Sequence, residues 1–160
     1  MFEHFDTPNE LFTFRLGTLL SAEHDSLSML EDLERVVDAD DLKQLFHHHA
    51  DETRQQIANV EECFRLLGMP PDDSPSPTTR GLAKEADMLI RKSHPTLVDE
   101  VAVAGGLATE HYEIATYTTL IDMAQAQGHT EIVRLLQANL SQEEAACDRL
   151  AAAERQLAGA

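Results

Sequence analysis

The chain has 160 residues, and its 12 Lys and Arg against 29 Asp and Glu leave a formal charge of −17 with histidine neutral. Nucleic-acid phosphates are held chiefly by Lys and Arg, and anionic lipid surfaces by polybasic clusters, so this balance argues against both partners. The length fits a single domain over 1–160, 42% hydrophobic residues suffice for one core, and 5% aromatics with no Trp favour helices over sheets. Met1 to Asp6 lacks a basic stretch followed by an apolar one, and no 18-residue apolar run occurs. Neither a signal peptide nor a membrane span is therefore expected. Cys63 and Cys147 are too few for a disulfide framework, and each lies in a helical pattern, which reads as reduced core thiols of a cytoplasmic protein.

In chain order, Thr7-Pro8-Asn9-Glu10 has the form of a capping box and predicts a helix α1 over about 7–36, with Leu11, Phe12, Leu16, Leu19, Leu20, Leu27 and Leu30 at helical spacing. The acidic turn Asp38-Ala39-Asp40-Asp41 can cap α2, about 40–67, whose apolar stripe runs Leu42, Leu45, Phe46, Ile57, Val60 and Phe64 before Gly68 ends it. Four prolines between Met69 and Thr79 predict a loop. A short amphipathic α3 follows over about 79–92, then α4 over about 96–127 up to Gly128, and Thr130 can cap α5 over about 130–157. Short α1–α2 and α4–α5 links with a long connection between the pairs predict an all-α fold, a four-helix bundle of two antiparallel hairpins with a crossover.

The stripes contain acids where leucines are expected. Glu23 lies on the α1 stripe; His49, Glu52 and Gln56 on that of α2; Glu110, Glu113 or Ile114, and Tyr117 on that of α4; and Glu143 or Glu144 with Cys147 or Asp148 on that of α5. A buried ionised carboxylate without a partner costs several kcal/mol, so such groups are paired, protonated or metal-bound. Arg54 falls on the opposite face from Glu52, while Arg15, Lys43, Arg65, Arg134 and Arg155 are turns away, leaving no evident cation. Metal ions are then the expected counter-charge. A weak repeat supports a paired site: Ala22-Glu23-His24 is similar to Thr109-Glu110-His111 at an offset of 87, and Glu52-x-x-x-Gln56 to Glu144-x-x-x-Asp148 at 92. His47 and His48 are expected in solvent, and His111 beside the stripe as a hydrogen-bond partner of a carboxylate or helix.

The α2 segment from Phe46 to Gly68 and the α4 segment Glu110-His-Tyr-Glu-Ile-Ala-Thr-Tyr-Thr-Thr-Leu120 resemble the YciE/YciF-type stress proteins of bacteria, over most of the chain. That family looks like a ferritin-like branch similar to rubrerythrin, and the resemblance implies a homodimer and a site for two Fe or Mn ions, with a stress-related handling of oxygen or peroxide as the activity class. The ligands it implies are Glu23, His49, Glu52, Glu110, Glu113, Glu144 and Asp148. The sequence departs from the ferritin-like Glu-x-x-His pattern on α2, where Gln55 follows Glu52 at that spacing, and on α5, where no histidine follows Glu143 or Glu144. The alternative reading is a metal-free helical bundle that serves dimerisation or partner binding without catalysis.

Overall fold

The protein was analysed as a computed structural model, which describes residues 4–159. Met1, Phe2 and Glu3, part of the leader reading, and Ala160 lie outside the described residues. The described residues form five α-helices and no strand: α1 (Pro8–Val36), α2 (Asp40–Leu66), α3 (Pro77–Lys92), α4 (Val98–Ala126) and α5 (Thr130–Ala158). None of these helices is long and apolar enough to cross a membrane.

Local chemistry explains most of the helix ends. The Thr7 hydroxyl accepts from the Glu10 amide, and the Glu10 carboxylate accepts from the Thr7 amide at 2.9 Å, closing the predicted capping box. Gly68 and Gly128, at φ 72° and 76°, end α2 and α4 in the left-handed conformation that glycine adopts without penalty. Pro77 opens α3 two residues earlier than predicted, because proline at the first helical position loses no hydrogen bond. Pro95 to Leu97 form a separate 3-10 turn ahead of α4. Thr130 is the first residue of α5 rather than its cap; His129 takes the cap position without a side-chain bond.

The acidic turn before α2 does not cap it either. Ala39 holds the cap position, and the free amides of Asp38 and Ala39 donate to Asp99 at 2.8 and 3.2 Å. Asp99 thus ties the first turn of α4 to the start of α2, a task the local sequence leaves undone. Asp99→Ala is expected to cost about 1 kcal/mol, the usual worth of such a cap. In a chain of this size that lowers the melting temperature by about 2–4 °C, readable by calorimetry.

The four long helices form a closed ring in which α1 touches α2 and α4, and α5 touches α2 and α4; α3 lies outside against α4 and α1. At one end Phe12, Leu16, Val60, Phe64, Leu120, Ala124, Ile132 and Leu136 pack together. At the other, Leu30, Leu33, Leu42, Phe46, Ala102, Val103, Leu150 and Ala153 do so. Early residues of α1 therefore meet late residues of α4, and the same holds for α2 and α5, so both facing pairs are antiparallel. The crossover returns the chain along the bundle, and Gly17 lets it approach: a Cβ there would stand 2.9 Å from the Asp72 carbonyl oxygen.

Inward positions repeat at spacings of three and four on every long helix, as knobs-into-holes packing of a left-handed bundle requires. On α1 they are Phe12, Leu16, Leu19, Glu23, Ser26, Leu30 and Leu33; on α4 they are Val103, Gly106, Glu110, Glu113, Tyr117, Leu120 and Ala124. The middle rungs are polar on all four helices. A polar layer is thereby clamped between two apolar ends.

Candidate metal centre

The layer is built from two or three adjacent rungs of each of the four long helices. Glu23 and Ser26 come from α1, His49, Thr53 and Gln56 from α2, Glu110, Glu113 and Tyr117 from α4, and Asn139 and Glu143 from α5, all buried. Four carboxyl groups, each at most 1% exposed, share this space with one imidazole.

Its hydrogen bonds leave much of that oxygen unused. His49 bridges the layer: Nε2 lies 2.9 Å from Glu110 Oε1 and 3.7 Å from Glu143 Oε2, while Nδ1 lies 3.4 Å from Glu52 Oε2. The Tyr117 hydroxyl donates to Glu23 Oε1 and accepts from Asn139 Nδ2 at 2.9 Å. Asn139 also donates to the Gln56 carbonyl at 3.1 Å, and Ser26 donates to Glu113 Oε2 at 3.4 Å. Glu23 Oε2, Glu110 Oε2, Glu113 Oε1 and both oxygens of Glu143 are buried without a hydrogen-bond partner, as are both polar atoms of the Gln56 side chain. Buried polar atoms are almost always paired, so a concentration of orphaned oxygens in one layer calls for an occupant.

Electrostatics point the same way. Burial pushes Glu23 up to about 8, against the opposing Tyr117 hydrogen bond and the charge of His49. Burial, then the charges of Glu23 and Glu110, hold Glu113 well above the carboxylate range. Glu143 is raised in the same way, by burial and then by Glu113 and Glu110. For His49 burial alone would favour the neutral ring, but its hydrogen bonds to Glu110 and Glu52 and their charges outweigh that and raise it to about 9. At neutral pH the layer therefore holds protons in place of counter-charge.

His49, Glu110 and Glu143 can each direct one donor atom to a common point, these atoms all lying within 4.8 Å of one another. One imidazole nitrogen with carboxylate oxygens suits iron or manganese better than the softer metals that thiolates select. The donor set and the orphaned oxygens together fit such an ion.

Several expectations need correction. Glu144 and Asp148 are exposed, and Glu143 takes the inward rung. The inward residues of α5 run Ile132, Leu136, Asn139, Glu143, Ala146, Leu150 and Ala153. A stripe read through Leu140 instead of Asn139 slides one residue toward solvent. With Glu144 and Asp148 outside, the second half of the internal repeat fails. Glu52 stands at the rim, because Thr53 holds the inward rung of α2, and its side chain keeps 15% exposure. The absence of a cation is also overturned: Arg149 Nη2 lies 2.5 Å from Glu52 Oε2. Burial raises Glu52, but the His49 hydrogen bond and then the charge of Arg149 prevail and hold it below its ordinary range. His48, exposed as expected, lies 3.3 Å from Glu52 Oε1. His111 bonds the neighbouring helix as expected, its Nε2 lying 3.8 Å from the Cys147 sulfur of α5. Cys63 is buried as expected, whereas Cys147 is only partly so.

Comparison with known proteins places this architecture. The chain is 30% identical to Protein YciF of Escherichia coli over 141 residues, covering 87% of this chain and 85% of that protein. The crystal structure of that E. coli stress protein superposes with a TM-score of 0.92 at 27% identity, over 97% of this chain and 99% of that one. YcfI of Rhodopseudomonas palustris superposes with a TM-score of 0.89 at 36% identity, over 93% and 97%. A dodecameric thioferritin, the bacterioferritin-related protein of Bacteroides fragilis, shares the fold at 14% identity, with a TM-score of 0.70 over 93% and 87%. The bundle is ferritin-like. The model of the family described as "Domain of unknown function (DUF892)" matches residues 7–159, and the chain belongs to that family.

Proposed function

We propose that this protein binds a pair of iron or manganese ions in its central layer and has a stress-related role in handling oxygen or peroxide, as a cytoplasmic homodimer formed by single-domain chains of residues 1–160. The observation that carries the metal reading is the set of buried carboxylate oxygens without partners, clamped between apolar ends. His49, Glu110 and Glu143 would hold one ion, and Glu23 with Glu113 the other. The stress role draws on the similarity to the E. coli stress protein. The cytoplasmic reading draws on the free thiols of Cys63 and Cys147, and the homodimer on the family resemblance.

Bound ions of this kind supply one-electron exchange with oxygen species. The chain's own part is to orient and to exclude water. Tyr117 occupies Glu23 Oε1 and leaves Oε2 to face the layer; Asn139, donating to the Tyr117 oxygen, fixes the direction of that hydroxyl. His49 must surrender the proton on Nε2 to become a ligand, as must each protonated carboxyl. The apolar clusters on either side keep bulk water from the centre and strengthen every charge inside it.

Anaerobic loading with Fe(II) or Mn(II) followed by metal analysis tests the reading. About two ions per chain are expected, and their loss in Glu23→Ala and Glu110→Ala with the helical spectrum retained. A wild-type chain that takes up no ion under these conditions leaves the metal-free bundle as the reading. Its support is that Glu23, Glu52 and Glu110 already have partners in Tyr117, Arg149 and His49.

A further inference from the structure

The charges around the layer are distributed the wrong way round for a purely structural network. Four carboxyl groups in the interior share one imidazole, while Glu52 at the rim has three partners able to carry positive charge: Arg149 at 2.5 Å, His48 at 3.3 Å and the Nδ1 of His49 at 3.4 Å. Glu52 is also the carboxylate of the group that solvent reaches, with 15% of its side chain exposed. Its Oε2 contacts Arg149 on one side and His49 on the other, so it connects a half-buried guanidinium to the ring that bridges Glu110 and Glu143. The guanidinium is incompletely held. Its Nη2 bonds Glu52, but its Nε is buried without a partner. An arginine satisfied as a structural element uses its fork of donors; this one is fastened at one point.

From this arrangement we infer that Arg149 is a built-in competitor for Glu52, a latch that holds this carboxylate at the rim while the layer is empty and yields it to an arriving divalent cation. The inference rests on the metal reading of the layer. A divalent ion at the rim attracts Glu52 about twice as strongly as a guanidinium at equal distance. With the ion pair open, Glu52 Oε2 would be free of Arg149 and could serve as a ligand beside His49, whose Nδ1 it already faces at 3.4 Å. Arg149 then swings outward, where it is already 35% exposed. The carboxylate that the ferritin-like pattern assigns as a ligand is thus present but engaged, and uptake must break an internal ion pair first.

The test is a double-mutant cycle on the 160-residue chain, with Co(II) and Mn(II) as probes, reading association rate by stopped flow and dissociation constant by titration. Arg149→Met keeps the apolar stem and removes the charge. It is expected to speed association and tighten binding by about fivefold, the worth of a half-exposed ion pair. Arg149→Lys is expected to stay within about twofold of wild type, and Arg149→Gln stands in if the Met variant fails to fold. In a Glu52→Gln background, Arg149→Met is expected to change binding by less than about twofold, because the carboxylate in contention is gone. Unchanged or weaker binding by folded Arg149→Met overturns the latch. A fivefold gain that persists in Glu52→Gln also overturns it, since Arg149 would then act through its general field. Failure of the wild-type protein to take up either ion sinks the metal reading and the latch with it, whereas wild-type uptake with a silent Arg149→Met removes the latch alone.

Discussion

Raising the pH from 5 to 9 is expected to lower the melting temperature of the metal-free protein by about 10 °C, and saturating Mn(II) to remove most of that fall. The sign follows from which state holds its protons. Glu23 titrates near 8 in the folded chain, against 4.5 when unfolded. Below 4.5 both states are protonated and the folded state has its full stability. Above it the unfolded carboxyl ionises while the folded one does not, so stability drains away until about 8. His49 adds a fall in the same direction over the window from 6.5 to 9, since the folded ring keeps a proton that the unfolded ring releases. Glu113 and Glu143 are raised as well and act alike, while the lowered Glu52 acts oppositely and below this window.

Each pKa unit is worth about 1.4 kcal/mol, and these groups share one layer, so their losses overlap. A combined loss of about 3 kcal/mol, at about 2–4 °C per kcal/mol, sets the expected size. Repulsion within the −17 surface has the same sign, but 0.5 M NaCl screens it and leaves the buried layer largely untouched. Bound cations replace the protons as counter-charge and stabilise the folded state by mass action, which flattens the profile. The same protons must leave on binding, so between pH 6 and 8 metal affinity should rise at least about tenfold per pH unit. Calorimetry at pH 5, 7 and 9 with and without Mn(II), in high salt, checks both. A melting temperature that stays level or climbs with pH contradicts the protonated layer.

How far the centre could be read from the residues depends on the rungs beside it. On α1 Leu16, Leu19 and Leu30 place Glu23 inward from both sides, although a stripe read through Leu11 and Leu27 misses that Leu11 is exposed and that Ser26 holds the inward rung. On α4 Val103 and Leu120 place Glu110 equally firmly, whereas Glu113 and Ile114 compete for the next rung and the structure gives it to Glu113. On α5 the apolar Leu140 stands next to the true rung Asn139 and draws the stripe one residue around the helix. Glu144 and Asp148 then look inward, and Asn139, the support of Tyr117, goes unnoticed. Extending the stripe from Ala146, Leu150 and Ala153 backwards in steps of three and four would have recovered both Glu143 and Asn139. Arg149 is a different kind of miss. It adjoins the inward Leu150, and only the α2–α5 contact brings it to Glu52, ninety-seven residues away in sequence. The caps divide likewise: Thr7 and Glu10 are local and legible, whereas the Asp99 cap of α2 spans the bundle.

Replacing Glu143 by methionine is expected to make the metal-free protein more stable and to empty part of its centre. Both Glu143 oxygens are buried without a hydrogen-bond partner, and its side chain is 0% exposed. Protonation avoids a buried charge and lets the acid share its proton with Glu110, but it still leaves an acceptor without a donor, at a cost of about 1–3 kcal/mol. Methionine has a similar length, adapts to irregular space and asks for no partner. The melting temperature of the metal-free Glu143→Met variant should therefore rise by about 5 °C, for a gain of about 2 kcal/mol. Glu23→Met is the contrasting case. Glu23 accepts the Tyr117 hydroxyl, so its removal leaves a buried donor unpaired and should give no such gain. Metal analysis of the same Glu143→Met protein should show the loss of the ion assigned to His49, Glu110 and Glu143, about one per chain. A lower melting temperature with metal uptake intact would mean that Glu143 is a structural acid. A higher one with uptake lost identifies a side chain that weakens the empty bundle and is useful only when the layer is filled, the trade expected of a preformed binding site.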